Sequence, residues 1–131
     1  MPVLEDMCAI TREHAGESLR YFCRVDPETG TVDVLHLRED LSWTDRRNDE
    51  VEGELHEVTA KVSYESMMDV DNVNQLIKVA DSKVLFTGFV EDELAVAAFE
   101  RGIFAKLPPI VADFRDYMQD HDVDFVSLSL E

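Results

Sequence analysis

Residues 19–37 carry the pattern that most limits how this chain can fold: LRYFCRV, then DPETG, then TVDVLHL. In the first run Leu19, Tyr21, Cys23 and Val25 fall on one face of an extended strand, and Arg20, Phe22 and Arg24 on the other. Pro27 presets a turn, and Gly30 supplies the positive-φ residue that closes it. With Asp26 facing Thr31, Val25 opposes Val32, Cys23 opposes Val34 and Tyr21 opposes His36. On the reverse face Arg24 meets Asp33 and Phe22 meets Leu35. Opposite charges and apolar pairs at facing positions stabilise such a register, so these residues are committed to an antiparallel hairpin.

The remaining segments must supply what covers that hairpin. Residues 2–15 follow helical spacing through Leu4, Met7, Cys8 and Thr11, with Pro2 at the first turn and Gly16 as the stop. Ser42 or Thr44 caps a long polar helix running to about Tyr64, with Val51, Leu55, Val58 and Val62 as its core stripe. Gly53 inside it costs about 1 kcal/mol against alanine, which implies a close approach by another element. Residues 66–74 read as a loop. Three short apolar runs follow, QLIKVA, KVLFTGF and LAVAAF, separated by Asp81-Ser82 and Glu91-Asp92, with Gly88 marking a bulge in the second. Residues 101–104 connect to a helix opened by Pro108-Pro109, with Leu107, Ile110, Val111, Phe114 and Met118 on its apolar stripe. The tail VDFVSLSLE alternates again, and residues 123–131 form a further edge strand or a partner-binding segment.

The order is α-ββ-α-βββ-α with that C-terminal strand in addition, and a hairpin followed by a helix recurs at 18–64 and 75–120. An α+β fold fits it best: one domain over 1–131, an antiparallel sheet of about five strands, and helices packed on one face. In topology this order resembles the Roadblock-like (dynein light chain) and profilin-like modules, which carry helices on a five-stranded antiparallel sheet. The run SLRYFCRVDPETGTVDVLHLRED is also similar to haloarchaeal small acidic proteins. Neither resemblance supplies catalytic residues.

Charge narrows the partners. Acidic residues outnumber basic ones 29 to 12, and only Lys61, Lys78, Lys83 and Lys106 are lysine. A net charge of −17 is self-repelling in dilute buffer and tolerable where salt screens it, which points to a salt-accumulating cytosol. With 45% apolar residues the chain still builds a core. No basic stripe exists to neutralise phosphates, so nucleic acid is not expected as a partner. No run is long enough to span a bilayer, and the first residues lack the basic start and apolar run of a secretory signal, so a cytoplasmic location without membrane association is expected.

The chemistry-bearing residues are scattered. Cys8, His14, Cys23 and His36 are the sharpest metal candidate, but structural zinc sites pair their ligands tightly, and Cys8 and His14 fall about 120° apart around a helix. Asp69 to Asn74 begins like a calcium loop, then lacks the glycine at its sixth position and the glutamate at its twelfth. His36, on the strand face with Tyr21, reads as a half-buried histidine, and His121 as a helix-end cation. No nucleophile elbow or glycine-rich phosphate loop occurs, so neither catalysis nor a cofactor or metal is expected. The expected role is a non-enzymatic interaction or regulatory module, homodimeric, with LAVAAF or the tail as the exposed sheet edge and Val126, Leu128 and Leu130 as interface residues. The rivals are a small-ligand sensor with a pocket between sheet and helices, and a small enzyme using dispersed residues.

Overall fold

In the computed structural model, which describes residues 3–90 and 92–123, the hairpin forms with one departure from simple alternation. Strands β1 (Leu19–Val25) and β2 (Val32–Leu37) pair Val25 with Val32, Arg24 with Asp33 and Cys23 with Val34. Gly30, at φ +76°, closes the turn by donating its N–H to the Asp26 carbonyl. A bulge between Phe22 and Cys23 then admits Leu35 as an extra residue, so Phe22 faces His36 and Tyr21 faces Leu37. The expected pairs Phe22–Leu35 and Tyr21–His36 are thereby corrected. The bulge lets Leu35 pack into one apolar cluster and Leu37 into the other.

The first helix, α1, spans Val3–Ala15 and ends at Gly16, whose φ of +55° is left-handed. Residues 44–68 form two helices rather than one: α2 (Asp45–Gly53) and α3 (His56–Met68). Thr44, not Ser42, is the cap, accepting from the Arg47 N–H. Gly53 is where α2 ends, and a Cβ placed there would meet nothing within 4 Å, so it marks a break and not a close approach. Helix α3 also extends to Met68, into the segment read as loop.

Strands β3 (Gln75–Val79), β4 (Val84–Val90) and β5 (Glu93–Phe99) follow, and α4 (Leu107–Asp120) carries prolines at its first positions. The sheet is antiparallel, of five strands in the order β2-β1-β5-β4-β3. LAVAAF is therefore the central strand and not an edge: from Leu94 to Phe99 every residue of β5 is buried. Gly88 sits in unbroken pairing, opposite Gln75 on one side and Ala95 on the other.

Strand alternation splits the core in two, and helices cover both faces of the sheet, not one. Phe22, Val84, Val90, Ala95, Ala97 and Phe99 face α1 and α4, whose Leu4, Met7, Cys8, Ile110 and Met118 complete that cluster. Tyr21, Cys23, Val25, Leu85, Leu94, Val96 and Ala98 face the opposite way, onto Val51 of α2 with Trp43 and Leu55. The tail, with Val126, Leu128 and Leu130, lies outside the described residues.

Candidate interaction surface

Because β5 is internal, the outer strands of the sheet among the described residues are β2 and β3. Helix α3, which Glu57 links to Lys78 of β3, has no buried residue. The stripe expected to be core turns outward past Leu55, its last member packed on the sheet: Val58 and Val62 are surface residues, Val62 65% exposed, and Met67 is 80% exposed. Tyr64, Met68 and Val70 are exposed as well, as are Ile77 and Val79 on β3. A helix that keeps its apolar side chains in water, linked to an outer strand of the sheet, is an arrangement that monomers rarely keep.

Two carboxylates hold this margin in place. Glu54, 7% exposed, accepts from Lys78 Nζ of β3 at 2.8 Å and from Thr87 Oγ1 of β4 at 2.6 Å. Glu50 accepts from Lys83 Nζ at 2.7 Å and from Tyr21 Oη at 2.6 Å. Burial works against ionisation of Glu50, but the bonds from Lys83 and Tyr21 outweigh it and hold its carboxyl below the usual range. Burial first, then the Glu50 carboxylate, push the Tyr21 phenol far upward. Lys78 also meets Glu57 of α3 at 3.0 Å, Lys61 pairs with Glu65, and the Glu65 carboxylate accepts from the Val73 N–H at 2.8 Å. Lys78 and Lys83 thus tie the α2–α3 corner to the β3–β4 side of the sheet, while the Lys61 pair lies within α3.

The other expected sites are dispersed. Cys8 belongs to the α1/α4 cluster and Cys23 to the cluster on the opposite face of the sheet. Burial raises the Cys8 thiol to about 11 and the Cys23 thiol to about 12, so both stay protonated and poorly nucleophilic at neutral pH. His14 instead meets Asp113 of α4, with 2.6 Å between Nε2 and Oδ2. His36 lines an open polar trough with Arg12, Glu13 and Arg38, and burial followed by the Arg12 charge lowers its pKa. His121 stacks on Tyr117 with 4.0 Å between ring centroids. In the segment that begins like a calcium loop, Asp69 is the left-handed cap of α3. Between α1, α4 and the sheet lies a cavity of about 240 Å³, lined by Met7, Phe22, Phe86, Phe99, Ile110 and Phe114 among others. Its polar side chains are Thr11 and Gln75, and the Thr11 hydroxyl is already donated to the Met7 carbonyl.

The exposed face of α3 was hidden in the sequence by its spacing, which continues the stripe begun at Val51. The one local signal was Gly53, close to where the stripe leaves the sheet: Val51 and Leu55 pack on it, and Val58 and Val62 do not.

No known family profile matches the sequence, and no curated protein is similar to it at the sequence level. Solved structures are similar in fold. MglB of Myxococcus xanthus superposes with a TM-score of 0.65 at 10% identity, over 92% of this chain and 94% of that one. An MglB in a tetrameric arrangement gives 0.62 at 13% identity, over 87% and 85%. A Roadblock/LC7 domain from Streptomyces avermitilis gives 0.51 at 14% identity, over 78% and 87%. The chain has the Roadblock-like architecture: a five-stranded antiparallel sheet with helices on it.

Proposed function

We propose that the chain is a non-enzymatic interaction module that pairs with a second copy of itself along β3 and α3 and offers the resulting platform to protein partners in a salt-rich cytosol. The observation that carries this reading is the run of exposed apolar side chains on α3, together with an outer edge of β3 that no other described strand pairs. Twofold pairing of β3 with its own copy satisfies the free amides and carbonyls of the edge and brings two copies of α3 together over the extended sheet. Lys78, the cation on β3, is tied down to Glu54 and Glu57 instead of projecting from the edge as a guard against pairing. The tetrameric MglB shows a chain of this fold associating with itself. Val126, Leu128 and Leu130, outside the described residues, are proposed as further interface residues. The two buried, protonated thiols support binding rather than catalysis.

Light scattering in molar KCl tests the reading. The protein should be a dimer at micromolar concentration, Val62→Lys and Ile77→Lys should each yield monomers, and deletion of 124–131 should weaken the dimer without abolishing it. A wild-type monomer at high salt, or variants that remain dimeric, would refute it.

The cavity between α1, α4 and the sheet supports a second reading, a sensor of a small apolar ligand. It is smaller than the roughly 300 Å³ at which ligand pockets begin, and it lacks converging free polar groups. A solvatochromic apolar dye that binds one per chain, and is lost in Ala97→Phe, would favour the sensor over the platform.

A further inference from the structure

We propose that Glu13, His14 and Asp113 form a binding site for one divalent transition-metal ion, of the class that accepts mixed imidazole and carboxylate ligands. Glu13 and His14 lie on the last turn of α1, and Asp113 lies on α4. One carboxylate oxygen from each acid and one ring nitrogen of His14 all lie within 4.8 Å of one another. Bonds of about 2.0–2.2 Å to a shared ion require ligand atoms roughly 3–4 Å apart, so small side-chain rotations convert the cluster into a three-ligand site. His14 and Asp113 already touch at 2.6 Å, and an ion would take the place of the proton between them. The Glu13 carboxylate is exposed and makes no hydrogen bond or ion pair among the described residues, which leaves it free to close the set.

Three further properties suit a site. The backbone positions are held by buried neighbours one turn away or less, Thr11 and Ala15 on α1 and Ile110 on α4. Two carboxylates around one imidazole leave a negative balance that a divalent cation neutralises. The exposed side provides entry and leaves coordination positions for water. The imidazole sets the selectivity: carboxylates alone suit magnesium and calcium, whereas a ring nitrogen favours zinc, cobalt or nickel. The ligand set differs from the Cys8, His14, Cys23, His36 combination that sequence order suggests, because folding places His14 against α4. Since α1 and α4 also wall the apolar cavity, a bound ion fixes the spacing of its walls.

Cobalt(II) is the probe. The full-length protein, treated with EDTA and desalted, is titrated with CoCl₂ in molar KCl containing excess Mg²⁺, which occupies sites made of carboxylates alone. One Co²⁺ per chain should bind, with visible d–d absorption and a raised melting midpoint. His14→Gln and Asp113→Asn should weaken binding about 100-fold or more, beyond the roughly 10–100-fold that loss of an outer-shell partner costs. Glu13→Gln, whose side chain supports nothing in the fold, should also weaken it while the apo melting curve stays unchanged. Absence of binding up to millimolar Co²⁺, or equal affinity in wild type, His14→Gln and Glu13→Gln, would overturn the proposal and leave His14–Asp113 an ordinary ion pair.

Discussion

Replacing Glu54 tests how the α2–α3 corner is held. Its carboxylate is almost fully buried and serves a half-exposed cation, Lys78, and a buried hydroxyl, Thr87, which is 1% exposed. Glu54→Ala removes both acceptors at once. Thr87 loses a hydrogen bond to a charged group, worth about 1.5–3 kcal/mol, and its hydroxyl is left without an acceptor. Lys78 keeps Glu57 and enough solvent access that its share is about 0–1 kcal/mol, the range of an exposed pair. The total is about 2–4 kcal/mol, or roughly 8–15 °C in melting midpoint for a domain of this size. The two parts separate by salt. Thr87→Val should cost about 1–2 kcal/mol at every ionic strength. The smaller penalty of Lys78→Met should fade between about 0.1 M and about 3 M KCl as screening shortens the reach of exposed charge. The wild-type midpoint itself should rise over that range, because most of the −17 charge is on the surface. Thermal melts followed by circular dichroism give all four curves. A loss below about 1 kcal/mol in Glu54→Ala would show that the corner is held by packing alone, and a falling wild-type midpoint would refute the salt argument.

Acid should destabilise the fold in two stages. The Glu100 carboxyl is held low by Arg20 and Arg38, and the bonds from Lys83 and Tyr21 hold Glu50 low despite burial, so both stabilise the fold above about pH 4.3 and lose that contribution as pH falls through their folded values. His36 is also depressed, by burial and then by Arg12, so the unfolded state takes up its proton first and stability declines as pH falls below about 6.5. Urea titrations from pH 8 to pH 3 should show both slopes, with the upper one removed in His36→Gln and its persistence there counting against the assignment. Both thiols should resist a disulfide-exchange reagent in the native state and react fully in guanidinium, and a native-state reaction as fast as free cysteine would contradict their burial.

Legibility followed how local the deciding interaction was. The hairpin at 19–37 was readable because its turn and facing pairs are set within a few residues, and the bulge at Leu35 was not, since it serves two clusters built by distant helices. Strand identity for 75–99 could be read from apolar runs, but strand order could not: LAVAAF lacks charge because it is central, and the same lack suits an unguarded edge. The net charge alone implied self-repulsion, whereas Glu50 and Glu54 turn inward to lysines 24 or more residues away. The helical period through Val58 and Val62 was present, but period alone does not say whether a stripe meets its own sheet or another chain.

The position of β5 also sets when the molecule can become a molecule. During synthesis, β1–β2 and β3–β4 emerge as two separate hairpins, and an isolated two-stranded hairpin is marginal in water. Each then carries an unpaired inner edge, that of β1 or of β4, flanked by the apolar residues of both faces. Only when 93–99 leaves the ribosome can one strand pair with Leu19–Val25 on one side and Val84–Val90 on the other, closing a gap of some seventy residues in sequence. Folding is therefore expected to be late and cooperative, with a rate set by non-local pairing. Until then each nascent chain carries the acidic excess of the sequence, and at low ionic strength that like charge opposes the joining of unfinished copies through their open edges.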